Sequence, residues 1–298
     1  MPPCGEACSW RCSCAPEPLS SPLSSVRPAF YFPVKPTTFR FQAGLVPFGI
    51  DFGNGDADRR YFQVDEQRDH YLLAKRAVNP RRHRVLERNA AERDALAAVL
   101  AWVRATLRRE HPALFSPPPE NYRGIADQIQ EDLVVMHRRG DGTNAAILVD
   151  VCFPSDWYPD RVAGTDFRFI HGPVPGFADA DAQARSMVSA MIDRGPYVRF
   201  VWTLKADDFL DHHPEEGRHG SWSDEGAGFL RVERQLTVPF ADVDTALFII
   251  RTYIYPFASL RADDRRRIAD AVEAMPIEAA RYKGLVDAKP IILGLLRR

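Results

Sequence analysis

The chain has 298 residues, 45% of them hydrophobic, enough to bury a sizeable core in one large domain or two small ones. Its 39 Lys and Arg nearly cancel 40 Asp and Glu, leaving a formal charge of −1, so no global field favours a nucleic acid or an anionic membrane. No run of about 18 apolar residues is present to cross a bilayer, and the N-terminus lacks the basic start and apolar stretch of a secretory signal, so the expected location is the cytoplasm.

Four of the five cysteines (Cys4, Cys8, Cys12, Cys14) fall in the first fourteen residues and only Cys152 lies in the body, which leaves no disulfide framework. The N-terminal cluster has metal-ligand residue types, but its spacing fits no iron–sulfur pattern and its surroundings are rich in Pro and Ser. Residues 1–36 therefore read as a disordered extension. From 37 the domain begins, with Phe39, Phe41, Leu45, Val46, Pro47 and Phe48 as an apolar docking segment.

Residues 66–78 and 89–110 read as helices; in the second, Asn89 with Glu92 resembles a capping box, and Leu96, Val99, Leu100, Val103 and Leu107 recur at helical spacing. After the prolines at 117–119, the apolar, β-branched runs 132–138 and 145–153 read as a hairpin closed by Gly140-Asp141-Gly142. A short helical or turn region follows at 154–164, then a loop at 170–175 and a helix at 181–193. Three strands, 197–204, 228–238 and 245–255, are separated by turn-forming loops rather than helices, which predicts antiparallel pairing. A helix near 263–274 follows, the domain ends at 287, and 288–298 is left as a tail. The plan is α+β, a single domain with one mainly antiparallel sheet and additional helices.

Three constellations carry chemistry. In Ile170-His171-Gly172-Pro173-Val174-Pro175 the prolines fix the backbone after His171 and give its imidazole a defined direction, as an axial metal ligand requires; the plainer reading is a hydrogen-bonded core or loop histidine. Arg231, Glu233 and Gln235 share one strand face, and Arg251, Tyr253 and Tyr255 alternate on the next strand, so these groups are expected above one pocket unless they form a solvated ionic face. There a carboxylate would hold a cationic amine while guanidinium or phenol donors polarise bound oxygen. Asp211, His212, His213, Glu215, Glu216 and His219 read as a solvated loop rather than a metal site. No dinucleotide fingerprint, phosphate loop, nucleophile elbow or two-histidine zinc helix is present, so a nicotinamide reductant would act through another protein.

As an ordered set, Gln130-Glu131-Asp132-Leu133, Cys152-Phe153-Pro154-Ser155 with Trp157, Ile170-His171 with Pro173-Val174-Pro175, Arg231-Val232-Glu233-Arg234-Gln235, Phe248 with Ile250-Arg251-Thr252-Tyr253, and Tyr282-Lys283-Gly284-Leu285 resemble the catalytic alpha subunit of the haem-dependent oxidative N-demethylase family. The resemblance implies a PAS-like haem domain with added helices, and oxidative N-demethylation of a small amine such as dimethylamine with O2. Electrons would come from partner reductase subunits carrying FMN and a 2Fe–2S cluster. It further implies His171 as the iron ligand, Trp157 and Tyr253 beside the haem, and Glu233, Arg231 and Arg251 as distal or propionate-facing groups. One departure touches the substrate side: Arg199-Phe200-Val201-Trp202 stands where the family pattern expects Arg-x-Asn-Trp. A haem-binding gas or redox sensor and a non-catalytic binding protein are the alternative readings.

Overall fold

The computed structural model describes residues 26–35, 44–175 and 181–298; the cysteine-rich start, Phe39 and Phe41 lie outside them. Seven strands form one sheet with every neighbouring pair antiparallel: β1 (Val46–Pro47), β2 (His83–Val85), β3 (Asp132–Arg138), β4 (Asn144–Asp150), β5 (Tyr197–Lys205), β6 (Phe229–Phe240) and β7 (Thr245–Pro256), in the spatial order β1-β5-β6-β7-β3-β4-β2. The β3–β4 hairpin turns as its sequence requires. Gly142 sits at φ 81°, a conformation that glycine adopts without strain, and the Asp141 carboxylate accepts from the Thr143 amide at 2.9 Å.

Helices cover both faces. On one lie α1 (Arg68–Arg82, by its buried end), α2 (Ala90–Glu110), α6 (Ala262–Glu273) and α8 (Lys289–Arg297). Leu96, Val99, Val103 and Leu107 of α2 are buried against Leu133, Val135, Leu236, Leu247 and Ile249, each side chain contributing roughly 1.5–3 kcal/mol by burial. Asn89 caps α2 by accepting from the Glu92 amide at 2.9 Å. The opposite face packs Met136, Val149, Ala246 and Phe248 under α4 (Phe167–His171) and α5 (Asp181–Asp193). Short helices α3 (Tyr122–Ala126) and α7 (Ile277–Tyr282) complete the set.

The structure differs from the sequence reading at several ends. Helix α1 runs through Pro80 to Arg82 because Val78, Asn79 and Arg82 are all anchored: Asn79 donates to Asp127 at 2.7 Å and Arg82 to Asp211 at 3.1 Å. Within the stretch read as extension, Tyr31 and Val34 are buried beside Tyr253 and Leu230. The stretch read as a tail holds α8, whose Ile292, Leu295 and Leu296 join that cluster against α6. Apolar residues at helical spacing, not distance from the motifs, set that boundary.

Candidate functional site

His171 ends a one-turn helix rather than lying in a loop. Asp166 caps α4 by accepting from the Phe169 amide at 2.7 Å, and Gly172-Pro173 ends it. The four-residue spacing puts the imidazole under its own first turn, where Nδ1 donates to the Phe167 carbonyl at 2.9 Å and the ring stacks on Phe167 with centroids 3.9 Å apart. A carbonyl can only accept, so Nδ1 carries the proton and the lone pair is on Nε2, the tautomer that ligates a metal. Desolvation, helped by the Arg199 charge and opposed by the Phe167 bond, lowers the His171 pKa to about 4. The ring is therefore neutral at physiological pH.

The Arg199 charge that His171 feels belongs to a chain of polar side chains on β5 and β6. The register pairs Arg199 with Gln235, Val201 with Glu233 and Thr203 with Arg231, so all six point to one face. Arg199 Nε donates to Gln235 Oε1 at 2.7 Å, Gln235 Nε2 donates to Glu233 Oε2 at 2.9 Å, and Arg231 Nε stands 3.5 Å from Glu233 Oε1. Tyr282 and Lys283 reach the same region over the edge of β5: Lys283 donates to the Trp202 carbonyl at 2.5 Å, and burial lowers its ammonium to about 8. Apart in sequence, the segments around His171, Arg199, Glu233 and Tyr282 meet here. Trp157 lies half-buried with Ile170 and Val174 against the core under α4.

Arg251 and Tyr253 are not brought to this site. The register sets Glu233 against Thr252 and Arg234 against Arg251, so Arg251 and Tyr253 share the other face with Val232 and Arg234 and do not converge with Glu233. There Arg251 meets Asp65 at 2.7 Å and lies over the Tyr71 ring, 4.1 Å from its centroid, and the Tyr253 hydroxyl donates to Gln63. Tyr255 follows the same alternation and donates to the Ala29 carbonyl at 2.9 Å. Arg231 is on the site face but buried beneath it, donating to the carbonyls of Leu210 at 2.8 Å and Phe153 at 2.6 Å. Its guanidinium braces the floor under Glu233. The 211–219 segment is no solvated loop either: His212 and His213 are buried, paired with Asp207 at 2.9 Å and Asp160 at 3.0 Å.

Among the described residues, the one group with metal-ligand proximity is Asp132, Asp150 and Cys152, all buried, with ligand atoms within 4.8 Å of one another. A lysine already neutralises it: buried Lys75 lies 3.1 Å from Asp132, and against desolvation Asp132, Cys152 and Asp150 keep its pKa above the usual value. His171 is different. It offers a neutral, oriented imidazole stacked on an aromatic ring, with Phe169 and Val201 unusually exposed at 61% and 38%. That donor set and exposed apolar surface fit a flat, apolar iron porphyrin.

Sequence reasoning missed Arg199 and Lys283 as site members; their alternation on β5 and the Tyr282-Lys283 motif were visible, but only the fold shows that they meet. Residues 118–293 match the family model described as haem-dependent oxidative N-demethylase, alpha subunit-like, more than half of the chain. No curated protein matches.

Proposed function

Since the chain belongs to the haem-dependent oxidative N-demethylase, alpha-subunit-like family, we propose that it removes a methyl group oxidatively from a small alkylamine such as dimethylamine, using O2 and electrons passed on by flavin and iron–sulfur partner subunits. The observation that carries this reading is His171, neutral and fixed through Nδ1 and near enough to Arg199 to feel its charge, with Arg199 joined through Gln235 to the Glu233 carboxylate on the β5–β6 face. His171 Nε2 would hold the iron. When bound, haem supplies the oxygen chemistry.

The rest belongs to the chain's own side chains. A secondary amine is cationic in water, and Glu233 offers it a carboxylate whose second oxygen is pinned by Gln235 and whose position is set by Arg231. In partly desolvated surroundings such an ion pair is stronger than in water. Val201, directly across from Glu233, gives the N-methyl group an apolar neighbour where an amide would offer a hydrogen bond. Loss of two electrons and two protons from the ammonium ion leaves an iminium, those two electrons with two from the reductase reduce O2 to two waters, and water converts the iminium to formaldehyde and the shortened amine. Because neither a dinucleotide fingerprint nor an iron–sulfur motif is present in the body of the sequence, reductase subunits would deliver the electrons.

The test is turnover. Haem-loaded protein given a chemical electron donor, O2 and dimethylamine is expected to yield formaldehyde in step with amine consumed. A protein that binds haem yet makes no formaldehyde from any simple methylamine would contradict the assignment.

A further inference from the structure

Resting on the haem reading of this site, a second assignment concerns a residue outside the six-motif set. Among the described residues, Arg199 has no carboxylate within the 4.0 Å ion-pair limit. Its one hydrogen bond is from Nε to the Gln235 carboxamide. Other buried arginines are paired: Arg82 with Asp211 at 3.1 Å, Arg251 with Asp65 at 2.7 Å and Arg231 with Glu233 at 3.5 Å. Arg234 caps the Arg60 carbonyl on the opposite face. The nearest carboxylate to Arg199, that of Glu233, acts on it only at a distance and through Gln235. A guanidinium drawn partly out of water without a contacting anion is unfavourable, and its fork of N–H donors is shaped for a carboxylate.

Position narrows the ligand. Among the described residues β1 pairs only with Tyr197 and Val198, so from Arg199 onward no further described strand lies beside β5 and Arg199, part-exposed, stands on the outer strand of the His171 face. A porphyrin held by His171 would bury its apolar body and leave its two propionates, its acidic groups, to be met at the outer edge of that face. The Glu233 carboxylate is on β6, one strand in from Arg199, and is reached from it through Gln235.

We propose that Arg199 is the counter-ion for a propionate of the bound porphyrin, with Gln235 as the positioning residue that holds Nε and leaves the fork for that outer edge. Amine binding then rests with Glu233, and the two charges have separate tasks.

Soret titration of the apoprotein with haemin and with haemin dimethyl ester, which lacks both carboxylates, tests this without any turnover. Wild type is expected to prefer haemin by about 10-fold or more, the range for a charge-assisted hydrogen bond. Arg199→Gln should lose that factor for haemin and leave the ester unchanged, and Arg199→Lys should fall between, all with the same axial signature. Equal affinity of wild type for the two porphyrins overturns the proposal whether or not the variants fold. Equal weakening of both porphyrins in Arg199→Gln also overturns it, by showing a structural role. Failure of wild type to bind either porphyrin sinks the haem reading itself, a result distinct from the other two.

Discussion

On one face of the sheet Arg251 is fully buried, meets Asp65 at 2.7 Å and lies over the Tyr71 ring. On the other, Arg199 is half-buried, bonded to an amide, and close enough to His171 to lower its pKa. The first arrangement is closed: Glu131 and Gln130 fill in where β3 stops alongside β7, accepting from the Gln63 and Asp65 amides at 2.7 and 3.2 Å. The second is open, a line of Arg199, Gln235, Glu233 and Arg231 beside a neutral imidazole. A buried guanidinium held against a carboxylate specifies structure even where, as at Arg251 Nε and Nη1, some donors find no hydrogen bond, and a guanidinium with no contacting carboxylate leaves chemistry for a ligand.

The largest expected effect breaks the closed side. Asp65→Ala strands the Arg251 guanidinium and should destabilise the protein by about 3–5 kcal/mol, measured by urea unfolding, while the haem affinity of the folded fraction stays unchanged. A loss below about 1 kcal/mol would mean that Tyr71 and Glu131 suffice to hold Arg251 and that the two faces differ less than described.

Acid should reach the open side next. The folded-state pKa of His171 is about 4 against an unfolded value near 6.5, so its neutral burial costs nothing above pH 6.5. Below that the unfolded chain takes up the proton first, and stability falls until about pH 4, by roughly 2–3 kcal/mol. His212, also lowered to about 4 by burial, adds a loss of the same sign. Apoprotein unfolding followed from pH 8 to 4 should therefore show a loss that shrinks in His171→Gln; an unchanged profile in that variant argues against a neutral, buried ring.

Glu233→Gln sharpens the contrast from the substrate side. Removing the carboxylate that would hold the amine should lower kcat/KM for dimethylamine about 10- to 100-fold while retaining haem and the fold. Unchanged kcat/KM would move amine binding elsewhere. The smallest effect lies away from both networks: Asn89→Ala removes the α2 cap and should cost about 1 kcal/mol in thermal unfolding, with no change at the haem site.

Strand alternation, the Asn89 cap and the Gly140-Asp141-Gly142 turn are local signals, and they place β3 to β7 and α2 within a few residues. Which side chains meet depends on register. The connection Ala241–Asp244 makes odd-numbered residues of β6 share a face with even-numbered residues of β7, so Glu233 meets Thr252 and not Arg251, a phase that alternation within either strand cannot reveal. Partnerships such as Asp65 with Arg251, 186 residues apart, leave no local trace. The acidic and histidine-rich 211–219 segment looks like a solvated loop in composition because its partners, Asp160 among them, come from another part of the chain. His171 was legible as an oriented imidazole from its prolines, whereas the one-turn helix that fixes its Nδ1 depends on the Asp166 cap.

The most direct measurement of the central claim is the axial-ligand spectrum of haem-loaded wild type beside His171→Ala, by absorbance and electron paramagnetic resonance, with and without added imidazole. A histidine-ligated signature in wild type, its loss with at least 100-fold weaker haem binding in the variant, and its return with free imidazole are predicted. The same signature and the same affinity in both proteins would contradict it.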